Sequence, residues 1–134
     1  MPVQSQRNTT EPDPRLVASA ALQAFFNLSP HWGLSAAEER ILLGSPPEST
    51  FFKWKMEKSA ARLSRDTLER VSYIIGIYKS LNILLPSQRS ADEWVRKPNN
   101  APMFNGQSAL DRMLAGSIVD LADVRHYLDA QRGL

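Results

Sequence analysis

The segment from Ser64 to Leu85 limits most strongly what this chain can fold into, because it is apolar on nearly every side of the helix that it forms. Ser64 is a typical N-cap residue and Pro86 ends the helix; the apolar side chains between them are Leu68, Val71, Tyr73, Ile74, Ile75, Ile77, Tyr78, Leu81 and Leu84. A helix that is apolar all round must be buried on all sides. In a chain of 134 residues, helices from both halves must therefore cover it, and we expect a second copy of the chain to cover part of it. Gly76 in its middle, about 1 kcal/mol less favourable than Ala there, indicates close approach of another helix.

The segment before residue 64 begins with a polar stretch. Residues 1–12 are rich in polar residues and show no periodicity, so we interpret them as a flexible tail. Asp13-Pro14 then combines an N-cap residue with proline at the first helical position, and it opens a helix that we expect to end between Asn27 and Pro30. The apolar residues of this helix recur every three or four positions: Leu16, Val17, Ala20, Ala24 and Leu28.

Two short helices are predicted next. Ser35 and Glu38 have the spacing of a capping box, in which each side chain accepts a backbone N–H at the start of a helix, and Gly44 ends that helix. Ser45 and Glu48 repeat the same spacing and predict a third helix. Two short helices joined at a glycine indicate a helix-turn-helix.

The last third of the chain contains several short elements and no strand. Ser90 starts a short helix with Trp94, residues 98–107 form a loop, Ser108 opens a helix that Gly116 stops, and Asp120 opens the last helix. The predicted fold class is therefore all-α, with an N-terminal helix-turn-helix bundle joined by a long central helix to a small C-terminal helical domain.

No group of residues has the spacing of a catalytic or metal site. The two histidines lie far apart, cysteine is absent, and no phosphate-binding glycine loop or nucleophile motif is present. Asp120, Asp123 and Asp129 could form an acidic site, but we interpret the first two as charges that complement a helix dipole and the third as a solvated residue. We predict a protein that is not an enzyme and that needs no metal or cofactor.

Charge is nearly balanced, with 16 basic and 14 acidic residues and a net charge of +2. This excess is too small to indicate nucleic acid binding by itself. The basic residues are, however, concentrated in the middle of the chain. Between Ser45 and Arg65 there are only two acidic residues, Glu48 and Glu57, and five basic ones: Lys53, Lys55, Lys58, Arg62 and Arg65. The lack of cysteine suits a reducing compartment, and the most apolar run is too short to span a bilayer, so we predict a cytoplasmic protein that does not insert into a membrane.

A series of motifs after the central helix resembles a known family. In chain order they are Ala91-Asp92-Glu93-Trp94, Pro98-Asn99, Phe104-Asn105-Gly106, Ser108-Ala109-Leu110-Asp111 and Gly116. The series resembles the toxin-binding domain of the Xre/MbcA/ParS antitoxins, with the pattern Ala-x-x-Trp, Pro-Asn, Phe-x-Gly, Ser-Pro-Leu-Asp and Gly. Ala109 replaces the family's proline, a mild departure because both residues suit a first helical turn. The resemblance divides the chain into a tail (1–12), an Xre-like helix-turn-helix domain (13–63) and a toxin-binding domain (64–134) that includes the central helix (64–85).

The stretch Ser49-Thr50-Phe51-Phe52-Lys53-Trp54 looks similar to the recognition helix of Xre-type domains. Phe51 and Trp54 share one face, and if they point inward, Ser49, Phe52, Lys53 and Met56 point outward. The residues expected to contact DNA are Ser49, Thr50, Phe52, Lys53, Lys55 and Lys58. Two features depart from the family: the turn is about one residue longer, and Arg40 occupies a position that is normally small. The alternative is that the helix packs Phe51 and Trp54 in a core and merely exposes its lysines.

The resemblance implies an antitoxin of a type II toxin-antitoxin system. Its partners would be a RES-domain toxin, which consumes NAD and whose active site it covers, and operator DNA, through which it represses its own operon. The residues expected to contact the toxin are Phe104, Arg125, Tyr127, Arg132, Gly133 and Leu134, of which the last three form a flexible tip. We interpret Trp94, Leu110, Leu114 and Leu128 as core residues. The alternative function is a stand-alone helix-turn-helix transcriptional regulator with no toxin partner.

Overall fold

The computed structural model describes residues 13–134, so the predicted tail (1–12) lies outside the described residues. The described part forms seven α-helices and one 3-10 turn: α1 (Pro14–Trp32), α2 (Ala36–Leu42), α3 (Glu48–Met56), the turn Lys58–Ala60, α4 (Arg65–Leu84), α5 (Gln88–Trp94), α6 (Ala109–Met113) and α7 (Ile118–Gln131). Its β-structure is limited to one antiparallel bridge between Pro98 and Ser108. None of these helices is long and apolar enough to cross a membrane. The all-α fold class is confirmed.

Helix α4 is the central element, as the sequence predicts. It packs against α1 on one side and against α7 and α5 on the other. Its residues Val71, Ile74, Ile77 and Leu81 are each no more than 1% exposed, and they belong to a single hydrophobic core that continues into both halves of the chain. The helix-turn-helix and the C-terminal helices are therefore packed on one shared support.

One side of α4 stays open in the single chain. Leu68 and Ile75 are only half-buried, Ser72 and Lys79 are exposed, and the Ile83 side chain is 62% exposed near the end of the helix. The expectation that α4 is covered on all sides is thus met by the fold on the faces toward α1, α5 and α7, and not on this strip.

Caps set the predicted helix starts. The Asp13 side chain accepts a hydrogen bond from the Arg15 N–H at 2.9 Å, the Ser35–Glu38 capping box is present, and Ser64 accepts from the Thr67 N–H at 3.1 Å. The expected end of α1 between Asn27 and Pro30 is wrong, because Pro30 lies inside the last turn. The helix ends instead at Trp32, and Gly33 caps it in a left-handed conformation (φ 61°).

Three expected helix starts are also wrong, and two of these helices are capped by a serine three residues earlier. Ser45 makes no capping box with Glu48; it adopts a left-handed conformation in the preceding turn, and α3 begins without a side-chain cap. Helix α5 is capped by Ser87, with Ser90 as the third helical residue rather than the cap. Helix α7 is capped by Ser117 and begins before Asp120.

Candidate functional site

The turn between α2 and α3 is braced by its own backbone and by one arginine. Gly44 (φ 97°) and Ser45 (φ 56°) both have left-handed conformations, and the Ser45 N–H donates to the Arg40 carbonyl at 2.9 Å. Arg40 Nε donates in turn to the Pro46 carbonyl at 2.5 Å. Arg40, which is large where the family is usually small, therefore ties the far end of the longer turn back to α2.

Helix α3 buries one face and exposes the other. Phe51 and Trp54 point inward, with 1% and 9% of their surface exposed. Thr50 is half-buried, and the exposed residues of the helix include Ser49, Phe52, Lys53 and Met56. The predicted orientation of the helix is confirmed: Phe51 and Trp54 lie in the core, and Ser49, Phe52, Lys53 and Met56 are exposed.

Two of the lysines expected to contact DNA are bound within the protein. Lys55 Nζ lies 2.7 Å from a carboxylate oxygen of Glu39, and the other oxygen accepts from Ser29 Oγ at 2.7 Å. Lys58 Nζ donates to the Lys55 carbonyl at 2.9 Å. Both ammonium groups also lie over the Phe26 ring, at 5.6 and 5.3 Å from its centroid. These two lysines hold α3 against α1 and α2.

Glu39 is the residue that sequence reasoning missed in this region. It is 3% exposed and links three helices through Ser29 and Lys55. The sequence does contain a signal for its burial. Glu39 lies three and four residues before Leu42 and Leu43, which places it on the apolar face of α2. A carboxylate on such a face needs partners to remain buried.

An aromatic cluster occupies the centre of the C-terminal half. Phe104 is 3% exposed and makes edge-to-face contacts with Trp94 (5.9 Å between ring centroids) and with Tyr127 (5.2 Å). Trp94 and Tyr127 are themselves stacked at 6.4 Å with an angle of 23° between their planes. The buried Phe104 ring therefore packs against the half-buried rings of Trp94 and Tyr127, and it exposes almost no surface itself.

A pocket that the sequence did not predict opens beside Trp94 and Tyr127. It has a volume of about 240 Å³ and is lined by residues of α4, α5 and α7 and of the link after α4: Leu81, Leu84, Leu85, Trp94, Tyr127, Leu128 and Gln131. Its walls expose polar and apolar surface in nearly equal amounts, and they come from elements far apart in sequence. Such a pocket can accept an apolar side chain from a partner.

The loop that carries the Pro-Asn and Phe-x-Gly motifs is closed by Asn99. The Asn99 N–H donates to the Gln107 carbonyl at 3.0 Å, and the Asn99 carbonyl accepts from the Gly106 N–H at 2.9 Å. Its side-chain oxygen also accepts from the Ala101 N–H at 2.9 Å. These bonds fold the loop so that Phe104 points into the core, which gives both motifs a structural role.

The acidic residues at the start of α7 pair with one arginine. Arg112 lies 3.3 Å from Asp120 and 2.8 Å from Asp123, and it also donates to the Met103 carbonyl at 2.8 Å. All three aspartates that sequence alone could offer as an acidic site are therefore ion-paired, because Asp129 lies 3.2 Å from Arg125. Asp129 is half-buried, so the expectation that it is a solvated residue is wrong. Across residues 13–134, no group of three or more His, Cys, Asp or Glu residues is placed to hold a metal ion.

The residues expected to contact a toxin fall into two groups. Phe104 and Tyr127 join the aromatic cluster. On another side of α7, the Arg125 guanidinium lies over Gly76 of α4, and Arg132 donates to the Ser80 hydroxyl, one turn further along α4, at 3.2 Å.

The expected flexible tip is folded back onto α7. The Gly133 and Leu134 N–H groups donate to carbonyls in the last turn of that helix at 3.1 and 2.9 Å. The Leu134 side chain remains 76% exposed. The tip is thus an ordered helix end that presents one apolar side chain.

A polar junction connects the C-terminal half with the helix-turn-helix. Arg96 donates to the Trp32 and Gly33 carbonyls, both at 2.8 Å, and to the Glu38 carboxylate at 2.9 Å. Partial burial acts to raise the pKa of Glu38, but hydrogen bonds from the Ser35 backbone and from Arg96 outweigh it and hold that pKa below its usual value. Nearby, His31 Nδ1 lies 3.0 Å from an Asp92 carboxylate oxygen.

The protein thus combines two modules on one core. One is a helix-turn-helix with an exposed helix α3, and the other is a helical module with a surface pocket. This arrangement is that of a binding protein with two parts. Two family models match the sequence. The family model of the antitoxin Xre-like helix-turn-helix domain matches residues 11–76, and that of the antitoxin Xre/MbcA/ParS C-terminal toxin-binding domain matches residues 80–133. The chain belongs to the Xre/MbcA/ParS-type antitoxins. It is also 53% identical over 114 residues, 85% of each chain, to the uncharacterized protein y4oB of Sinorhizobium fredii.

Proposed function

We propose that this antitoxin neutralises a RES-type, NAD-degrading toxin by covering its active site with the C-terminal domain. The observation that carries the proposal is the toxin-binding domain at residues 80–133, together with the pocket beside Trp94 and Tyr127. We base the proposed RES class of the toxin on the resemblance of the Ala91 to Gly116 motifs to the Xre/MbcA/ParS antitoxins. A domain that binds a partner through a preformed pocket needs no catalytic group of its own.

The toxin-contact surface that we propose combines the two groups of residues on α7. Tyr127 forms one wall of the pocket, where an apolar toxin side chain can be desolvated. Arg125, midway along α7, and Arg132, Gly133 and Leu134 at its end add polar and apolar contacts. Phe104 contributes indirectly, by positioning Tyr127. Of these residues Leu134 has the most exposed apolar side chain.

The experiment is co-expression of the chain with the product of the neighbouring reading frame. Cellular NAD should fall when the neighbour is expressed alone and recover when both are expressed, and the two proteins should purify as one complex. A complex that forms while NAD stays constant without the antitoxin would overturn the RES assignment and leave the antitoxin class intact. The absence of both toxicity and a complex would favour a stand-alone regulator.

We also propose that the helix-turn-helix binds operator DNA and represses the antitoxin's own operon. The match to an Xre-like helix-turn-helix domain and the exposed face of α3 support this. Lys53 is the cation best placed to contact a phosphate, because Lys55 and Lys58 are engaged within the protein. Ser49 and Thr50, at the start of the helix, add hydroxyls that can donate to the DNA backbone.

We further propose a homodimer. The open strip of α4 forms, with α1 and with Arg125 of α7, a depression of about 430 Å³. Its apolar part includes Val17, Ala21, Leu68 and Ile75, and Lys79 lies at its polar side. A second copy placed on the same strip would bury these side chains on both chains at once. Sedimentation of the purified chain should therefore give a mass larger than the 15.0 kDa of one chain; a strict monomer at micromolar concentration would rule this out.

A further inference from the structure

The outward face of α3 is more apolar than charged. Phe52 is 49% exposed and Met56 is 84% exposed. They are four residues apart on one helix and so lie side by side on its surface. Adjacent exposed apolar side chains such as these form the kind of patch that often marks a binding surface.

The exposed face of α3 offers few donors that could form hydrogen bonds with bases. The commonest base contacts are bidentate and come from Arg, Asn or Gln, and α3 contains none of these residues. Lys55 is paired with Glu39, and Lys58 caps the end of the helix. Among the residues that the structure describes on α3, this leaves Lys53 as the exposed cation without an ion pair.

The Phe52 ring is held in a defined position. Its centroid lies 5.0 Å from that of Phe51, with 69° between the ring planes, which is an edge-to-face contact. Phe51 is itself 1% exposed and fixed in the core. The exposed ring is thus preorganised, so binding does not need to immobilise it.

We propose that α3 reads DNA in the major groove by apolar contact of Phe52 and Met56 with thymine methyl groups, while Lys53 and Ser49 contact phosphates. This inference rests on the proposed DNA binding. DNA is the occupant that charge favours: with Lys55 and Arg65 paired to Glu39 and Glu69, Lys53, Lys58 and Arg62 still outnumber Glu48 and Glu57 between Ser45 and Arg65, and phosphates complement that small excess. Among the four bases, thymine alone presents a methyl group in the major groove.

The test uses a duplex amplified from the DNA upstream of the antitoxin's reading frame, prepared once with dTTP and once with dUTP. Uracil pairs as thymine does and lacks only the 5-methyl group. The full chain should bind the dTTP duplex more tightly, by about fourfold for each methyl contact that is lost. Phe52→Ala/Met56→Ala should bind both duplexes equally, and Lys53→Met should weaken both while it keeps the difference between them.

The outcomes separate this inference from the function on which it rests. Equal binding of both duplexes by the parent chain overturns methyl reading and leaves DNA binding intact. Failure of the parent to bind either duplex at low salt overturns both. If Phe52→Ala/Met56→Ala binds DNA as the parent does and instead loses toxin binding or self-association, the face is a protein interface. Both side chains are exposed, so a thermal melt matching the parent's verifies that this variant is folded.

Discussion

The Arg125 guanidinium occupies the space where a side chain at Gly76 would lie. A Cβ built at Gly76 would overlap the end of the Arg125 side chain, whose guanidinium also pairs with Asp129 at 3.2 Å. Gly76 thereby lets an arginine of α7 cross the surface of α4. The sequence predicts close helix approach at this glycine, and the structure adds that the approaching group is charged.

Gly76→Ala should reveal this relationship through its dependence on Arg125. Ala is about 1 kcal/mol more favourable than Gly inside a helix, so in an Arg125→Ala background the substitution should raise the free energy of unfolding by about that amount. In the parent the gain should be smaller, because the methyl group displaces the guanidinium. Urea unfolding of the four proteins gives the coupling. Equal gains in both backgrounds would contradict the contact.

Glu39 should be important for the position of α3. Glu39→Ala leaves the Ser29 hydroxyl and the Lys55 ammonium without their partner, and we expect it to lower the free energy of unfolding by about 2 kcal/mol. Glu39→Gln keeps an acceptor for Ser29 and should cost less. Chemical denaturation measures both, and Glu57→Ala, at an exposed acidic position, provides the control. A Glu39→Ala variant as stable as the Glu57→Ala control would contradict the network.

The elements that sequence predicts well here are those whose signals are local. The start of α1 at Asp13, the capping box at Ser35 and the cap at Ser64 each depend on residues within one helical turn. The burial of Phe104 and the pairing of Glu39 with Lys55 depend on which faces meet in space, and one sequence does not specify that. The pocket beside Trp94 was missed for the same reason, since three separate stretches of the chain form it.

Arg96 should link the stability of the helix-turn-helix to pH. The folded-state pKa of Glu38 lies below its ordinary value of 4.5, so its stabilising contribution is complete above that value and is lost as pH falls through the lower folded pKa. Arg96→Ala removes one cause of the lowered pKa. The variant should be less stable at neutral pH and should lose less stability than the parent on acidification.

Thermal melts of both proteins from neutral pH to below pH about 4 would measure this. Arg62→Ala is the control, because Arg62 is exposed and forms no ion pair with the other residues that the structure describes. Parallel stability curves for the parent and Arg96→Ala would contradict the proposed link.

Phe104→Ala should act through the fold. The ring is 3% exposed and supports both Trp94 and Tyr127, so its truncation should lower the free energy of unfolding by about 3 kcal/mol. Phe104→Leu, which keeps most of the volume, should cost less. Thermal melts and toxin protection should fail together for Phe104→Ala. A normal melt with lost protection would instead identify Phe104 as a direct contact.

Changes at the end of α7 should affect toxin neutralisation more than the stability of the fold. Deleting Arg132 to Leu134 removes an exposed leucine, one hydrogen bond to Ser80 and the backbone bonds that close the helix end, so we expect a loss of about 1 kcal/mol in unfolding free energy with the fold retained. If this end contacts the toxin, cells that carry the toxin should lose protection.

Leu134→Ala should have the same effect on protection with almost no effect on the melt, because the side chain is 76% exposed. Val119→Ala, at a site 60% exposed near the other end of the same helix, is the matched control and should protect fully. Full protection by the deletion variant would exclude this end of the helix from the toxin interface.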